Sequence, residues 1–141
     1  MRCTVIKSSR GRIPRKKVAA VAKAIEEQEE PPEGQVSIIF VTDREIRRLN
    51  RRFRHIDKAT DVLSFNIDTE ASPNAVLGEV YISTETANRN AREDGISSEE
   101  MIIRLCVHGI LHLLGYDHKS RRERTSMESK ERLVLSRVGI G

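Results

Sequence analysis

Met101-Ile-Ile-Arg104-Leu-Cys106-Val-His108-Gly109-Ile-Leu-His112-Leu-Leu-Gly115-Tyr-Asp117-His118 is the stretch on which the fold turns. Residues 101 to 114 are apolar apart from Arg104, His108, Gly109 and His112. Such a run describes a buried helix whose one polar stripe carries imidazoles. His108 and His112 are spaced i, i+4, so both project from one face, one turn apart, within reach of a single ion. Gly115 can take the left-handed conformation that ends a helix, which folds Tyr116, Asp117 and His118 back toward the same face. His118 would then complete a facial triad. Three protein ligands leave the fourth position of a tetrahedral ion to water, the pattern of a catalytic site rather than a structural one. Three of the chain's four histidines fall within eleven residues, which weighs against their being unrelated core or surface histidines.

The residue after the first histidine separates this motif from the metallopeptidases. An H-E-x-x-H helix carries its general base there as a glutamate, whereas this chain has Gly109. A peptidase is therefore a poor fit. Asp117 reads either as a carboxylate orienting an imidazole or as a turn former. By ligand type three imidazoles suit zinc, nickel or copper.

Outward from this stretch, 141 residues suffice for one domain, 1–141, with a sizeable core. No apolar run reaches membrane-spanning length and the N-terminus lacks a secretory signal, so a cytoplasmic protein with no membrane contact is expected. Cys3 and Cys106 form no disulfide framework and are expected as buried thiols of a reduced compartment. The net charge of +4 hides a segregation of sign. Glu26, Glu27, Glu29, Glu30 and Glu33 are acidic. Arg44, Arg47, Arg48, Arg51, Arg52 and Arg54 place six guanidinium groups in eleven residues, and Lys7, Arg10, Arg12, Arg15, Lys16 and Lys17 form a second basic block. The basic blocks read as a surface for a polyanion or, equally, as solvated helix faces; aromatics for base stacking are few.

Residues 2 to 7 read as a strand, and Pro14 suits the first turn of a helix whose apolar stripe is Val18, Val21, Ala22 and Ile25. Pro31-Pro32-Glu33-Gly34 ends it. Val36 to Val41 is a near-continuous apolar strand, expected to be central. Thr42 and Glu45 make a capping box, after which Ile46, Leu49 and Phe53 are expected to face the core with the arginines outward. Thr60 to Asn66 and Gly78 to Ser83 read as strands around an irregular loop containing Pro73. Thr84 to Asp94 is a helix closed by Gly95, Ser97 and Glu100 cap the histidine helix, and Ser120 and Glu123 cap a last one carrying Met127, Leu133 and Val134. The order gives a four-stranded sheet backed by about five helices in an α+β domain.

Several of these segments together resemble one family. His108-Gly-Ile-Leu-His112 with Gly115-Tyr-Asp-His118, Arg54 and Asp57 leading into Thr60-Asp-Val-Leu-Ser-Phe65, and Leu77-Gly-Glu-Val-Tyr-Ile-Ser83 are similar, in this order, to the YbeY family of bacterial endoribonucleases. The resemblance implies a mixed four-stranded sheet with a metal-bearing central helix, related to the zincins. It implies a zinc-type, metal-dependent hydrolase that cuts single-stranded RNA, acting in 3′-end maturation of 16S rRNA precursor and in quality control on the ribosome. Residue by residue it makes His108, His112 and His118 the metal ligands and Arg54 the functional arginine. Ala59 and Asn66 stand where relatives often have proline, which touches loop stiffness rather than chemistry.

From the residues alone Arg54 is one more member of a solvated row, and the resemblance reverses that preference. His55 is read as a surface residue or an RNA contact. Glu79 is read as an edge-strand charge, and Thr60 and Ser64 as sharing one strand face. Two alternatives remain at this point: a non-catalytic ribosome-associated RNA-binding factor with a structural metal, and a metal hydrolase of small substrates.

Overall fold

The structure, a computed structural model, describes residues Met1 to Gly141. Its elements follow in the order β1 (Arg2–Lys7), α1 (Arg15–Glu29), β2 (Gln35–Val41), α2 (Asp43–Arg54), β3 (Val62–Asn66), β4 (Val76–Ser83), α3 (Thr84–Asp94), α4 (Ser98–Leu113) and α5 (Arg121–Arg137). The four strands lie in the order β1-β2-β4-β3. β1 runs parallel to β2 and β2 to β4, while β3 is antiparallel to β4, so the sheet is mixed. The apolar run of β2 is interior, as its composition requires.

Strand register sorts the side chains into two faces. Val5, Ile38, Val80 and Ser64 form one row across all four strands. This row meets α4: an added Cβ on Gly109 would lie 2.5 Å from Val80 Cγ1 and 3.2 Å from Ser64 Oγ. Gly78 gives a second close approach, since a Cβ there would lie 2.6 Å from Leu113 Cδ2. Two glycines therefore let the histidine helix lie hard against the sheet. The next residues, Ile39, Tyr81 and Leu63, are also in register and point to the other face, where they pack with Ile46 of α2.

Helix ends follow the expected chemistry. The Thr42–Glu45 capping box is complete, and Ser97 and Ser120 each accept the backbone N–H three residues on. Gly115, at φ +104°, ends α4 as foreseen: its N–H donates to the His112 carbonyl and that of Tyr116 to the Leu111 carbonyl. This paired closure is a Schellman motif.

Five expectations are corrected. Phe53 is 55% exposed rather than core-facing, because α2 buries only Ile46 and Asn50 and its last turn overlies the edge strand β3, where Phe53 rests on the Phe65 ring. Leu133 is exposed and Leu135 takes its place; six residues after Met127, position 133 is turned about 120° away from it around α5. Glu79 sits on β4, which has a neighbour on both sides, and so is no edge charge. Thr60 precedes β3 and hydrogen-bonds Asp61 instead of sharing a strand face with Ser64. Cys3 is half-buried, with burial pushing its thiol up to about 11, while Cys106 is fully buried.

Candidate metal centre

α4 packs on α1, α3, α5, β3 and β4, so its polar stripe emerges where these elements stop. The stripe carries the imidazoles to that opening. The ring centroids of His108 and His112 are 6.3 Å apart, those of His108 and His118 5.8 Å, and those of His112 and His118 6.1 Å. All three predicted histidines are therefore brought together in a nearly equilateral triangle. Among ligating atoms, those of His112, Asp117 and His118 lie within 4.8 Å of one another, a group that leaves out His108. His118 arrives through the turn that Gly115 opens, and Asp117 fixes that turn by accepting the His118 backbone N–H at 2.7 Å. The same carboxylate stands 3.7 Å from His118 Nδ1, so it both shapes the turn and faces the ring.

The donor set fits a divalent ion. His112 Nδ1 pairs with the Tyr116 carbonyl at 2.8 Å, which makes Nδ1 the protonated nitrogen and leaves Nε2 a free lone pair. His108 Nδ1 faces Glu131 Oε1 of α5 at 3.4 Å, to the same effect. An imidazole held at one nitrogen by a carbonyl or carboxylate is the arrangement that orients metal ligands. A triangle of this size places each ring centroid about 3.5 Å from a common centre, against about 3.2 Å for three zinc-bound imidazoles, so small side-chain movements suffice. The hydrogen bond that His108 donates to the Glu131 carboxylate holds this imidazole's pKa above the ordinary histidine range, with partial burial opposing it.

Sequence reasoning missed Glu131. Its signal was a carboxylate on the apolar stripe of α5, four residues after Met127 and three before Val134. It also missed the anchors of α4. Ser64 Oγ donates to the Gly109 carbonyl at 3.1 Å, and Asn66 Nδ2 to the Leu113 carbonyl at 2.9 Å. Both side chains come from β3, the outermost strand. The Tyr116 hydroxyl donates to Glu29 Oε1 at 2.5 Å; burial, then this bond, pushes the phenol up to about 12.

Arg54, the last residue of α2, is exposed but rests against that outer strand. Its guanidinium donates to the Ser64 carbonyl at 3.2 Å and lies 5.6 Å over the Phe65 ring. Ser64 is the residue whose hydroxyl holds Gly109, so a single residue separates Arg54 from the histidine helix. His55 ends α2 in the left-handed region at φ +59° and is exposed.

Gly109 explains the missing peptidase glutamate. Val80 occupies the space that any side chain at this position would need.

A family model described as Endoribonuclease YbeY matches residues 6–139. A Desulforamulus reducens protein of that name is 43% identical over 132 residues, 89% of this chain and 86% of the relative. An Aquifex aeolicus protein of the same name is 49% identical, covering 74% of this chain and 70% of its own length. The solution structure of a Thermotoga maritima protein superposes with a TM-score of 0.64 at 30% identity, over 95% of this chain and 89% of that one. The chain belongs to the endoribonuclease YbeY family.

Proposed function

We propose that this chain, as one domain over residues 1–141, is a metal-dependent endoribonuclease that hydrolyses single-stranded RNA and matures the 3′ end of 16S rRNA precursor on the ribosome. The observation that carries the reading is the triangle of His108, His112 and His118 beside an arginine already fixed in place. Its cytoplasmic location is part of the same proposal. No helix is long and apolar enough to cross a membrane.

His108, His112 and His118 would hold the ion, with Asp117 close enough to accompany His118. The ion supplies Lewis-acid polarisation of the scissile phosphate, and zinc is the expected metal, nickel or another divalent ion an alternative. Glu131 and the Tyr116 carbonyl keep two imidazoles turned with Nε2 outward. The planar fork of Arg54 matches phosphate oxygens. With one N–H held by the Ser64 carbonyl and its plane over Phe65, the remaining donors are pre-positioned for charge developing on the phosphate. Attack by water leaves linear ends, whereas attack by the substrate's own 2′-hydroxyl leaves a 2′,3′-cyclic phosphate.

The test is cleavage of a single-stranded RNA carrying the 16S precursor 3′ end, using metal-quantified protein beside His112→Ala prepared identically. Cleavage that tracks bound metal and disappears in the variant is expected. Equal cleavage by both would transfer the weight to a non-catalytic ribosome-associated factor. RNA binding should also weaken steeply with salt, through release of counterions.

A further inference from the structure

We propose that the exposed face of Phe53 is a stacking platform for an unpaired base of single-stranded RNA, beside the metal centre and around the free edge of β3. The proposal rests on the RNA reading above and adds to it where the strand runs.

Phe53 is a large apolar side chain left 55% exposed on a helix otherwise crowded with arginines. Its exposure is not that of a loose ring. Phe65 supports it from below at 5.4 Å between centroids with planes at 60°, and Tyr81 supports Phe65 in turn at 5.9 Å. A ring braced by Phe65 and otherwise met by a solvent-exposed guanidinium offers a held π-face at little entropic cost. Cations lie over both rings, the Arg52 guanidinium 5.3 Å from the Phe53 centroid and that of Arg54 5.6 Å from the Phe65 centroid, and Arg52 is an exposed side chain that an incoming base can displace.

A π-face bordered by guanidinium groups is complementary to a nucleotide, whose base is flat and whose phosphate is anionic. It does not suit a paired helix, in which the bases are already stacked on each other. Arg54 links the platform to the chemistry. It is the residue after Phe53, it touches the outer strand at Ser64, and Ser64 holds Gly109 of the histidine helix. A strand crossing the free edge of β3 would thus meet Phe53 on the α2 side, Arg54 at the edge and the imidazoles on the α4 side.

The chain contains no tryptophan, so Phe53→Trp introduces a sole tryptophan at the platform, excited selectively over Tyr81 and Tyr116. Full-length protein is titrated with oligoadenylate and, separately, with inorganic polyphosphate of equal charge. Quenching by oligoadenylate but not by polyphosphate is expected. Phe53→Ala should weaken RNA binding about five- to hundredfold with an unchanged dependence on salt, because no phosphate contact is lost. Phe53→Tyr should bind like the native protein and shows that the aromatic face, not folding, is being read. The platform is refuted by native-strength RNA binding in Phe53→Ala, or by quenching that polyphosphate produces equally. Native protein that binds no RNA even at low salt refutes the RNA reading itself, and the platform with it.

Discussion

The two faces of the sheet are built on opposite principles. On the α4 side a continuous cluster of 24 buried residues surrounds the histidine helix. On the α2 side the buried apolar cluster is only Val41, Ile46 and Leu63, and α2 is held in place largely by its capping box and by polar bonds at its two ends. Packing density fixes where the imidazoles stand, whereas the open face keeps a ring and its arginines available to solvent. A dense face can position ligands to within tenths of an ångström because its side chains cannot move independently. A thin face can present groups without ordering them against anything but each other.

The largest effect should come from emptying each face in turn. Ile110 and Ile46 are both 0% exposed, so transfer free energy alone would make their truncations equal. Ile110→Ala opens a void inside the large cluster and should cost about 3–5 kcal/mol; Ile46→Ala, where neighbours can collapse inward, about 2 kcal/mol. Urea unfolding measures both. Equal losses would dissolve the distinction between the faces.

The next effect concerns the boundary between them. Arg54→Lys keeps the charge but loses the fork that spans the Ser64 carbonyl and a phosphate, so RNA cleavage should fall about a hundredfold while binding changes little. Arg51→Lys, one turn back on α2, should cleave within about twofold of the native protein. If Arg54→Lys cleaves normally, Arg54 belongs to the solvated row and not to the site.

A smaller effect probes the dense face through one hydrogen bond. Glu131→Gln keeps the size of the side chain and removes the charge that faces His108 Nδ1. Metal affinity should fall about tenfold or more, as for other partners of metal-bound imidazoles, with little change in the unfolding midpoint of the metal-free protein. Competition with a chelating dye reads the first and thermal unfolding the second. Unaltered affinity would leave Glu131 a spectator.

Much of the dense face was legible in the sequence because burial writes itself as periodicity. The His108–His112 spacing, the Gly115 stop, the Ser97 cap and the apolar β2 all follow from local rules. What local rules cannot express is which partner a side chain meets across the fold. Glu131 reaches His108 over a sequence separation of 23 residues and Ser64 reaches Gly109 over 45. Phe53 was misread for the same reason. Its helical spacing from Ile46 and Leu49 is correct for a core stripe, but the strand beneath it is an edge strand, and only the position of β3 in the sheet reveals that. Gly109 is the converse case: the sequence excluded a peptidase base there, and Val80 supplies the steric cause.

The smallest expected effect separates the two ends of α2 by their pH dependence. At the N-terminus Asp43 Oδ1 accepts from Ser83 Oγ at 2.6 Å and Thr86 Oγ1 at 2.5 Å, and Oδ2 from Arg89 at 2.8 Å. Partial burial pulls this carboxyl upward, but the donors outweigh it and hold it below the ordinary value of 3.8. Near the C-terminus the hydrogen bond from Arg47 does the same for Asp57, which is exposed. A carboxylate whose folded value is depressed stabilises the fold fully above its unfolded value, and that contribution is lost as pH falls through the folded value. Native protein should therefore lose stability below about pH 4, and Asp43→Asn should flatten that fall. Asp57→Asn should flatten it only at low ionic strength, since an exposed pair is screened by salt while donors packed around Asp43 are not. Urea midpoints between pH 3 and 6, at about 0.02 and 0.5 M salt, distinguish the two ends. If both substitutions respond to salt alike, the Asp43 network is as solvated as the Arg47 pair, and α2 is held by its capping box and Ile46 instead.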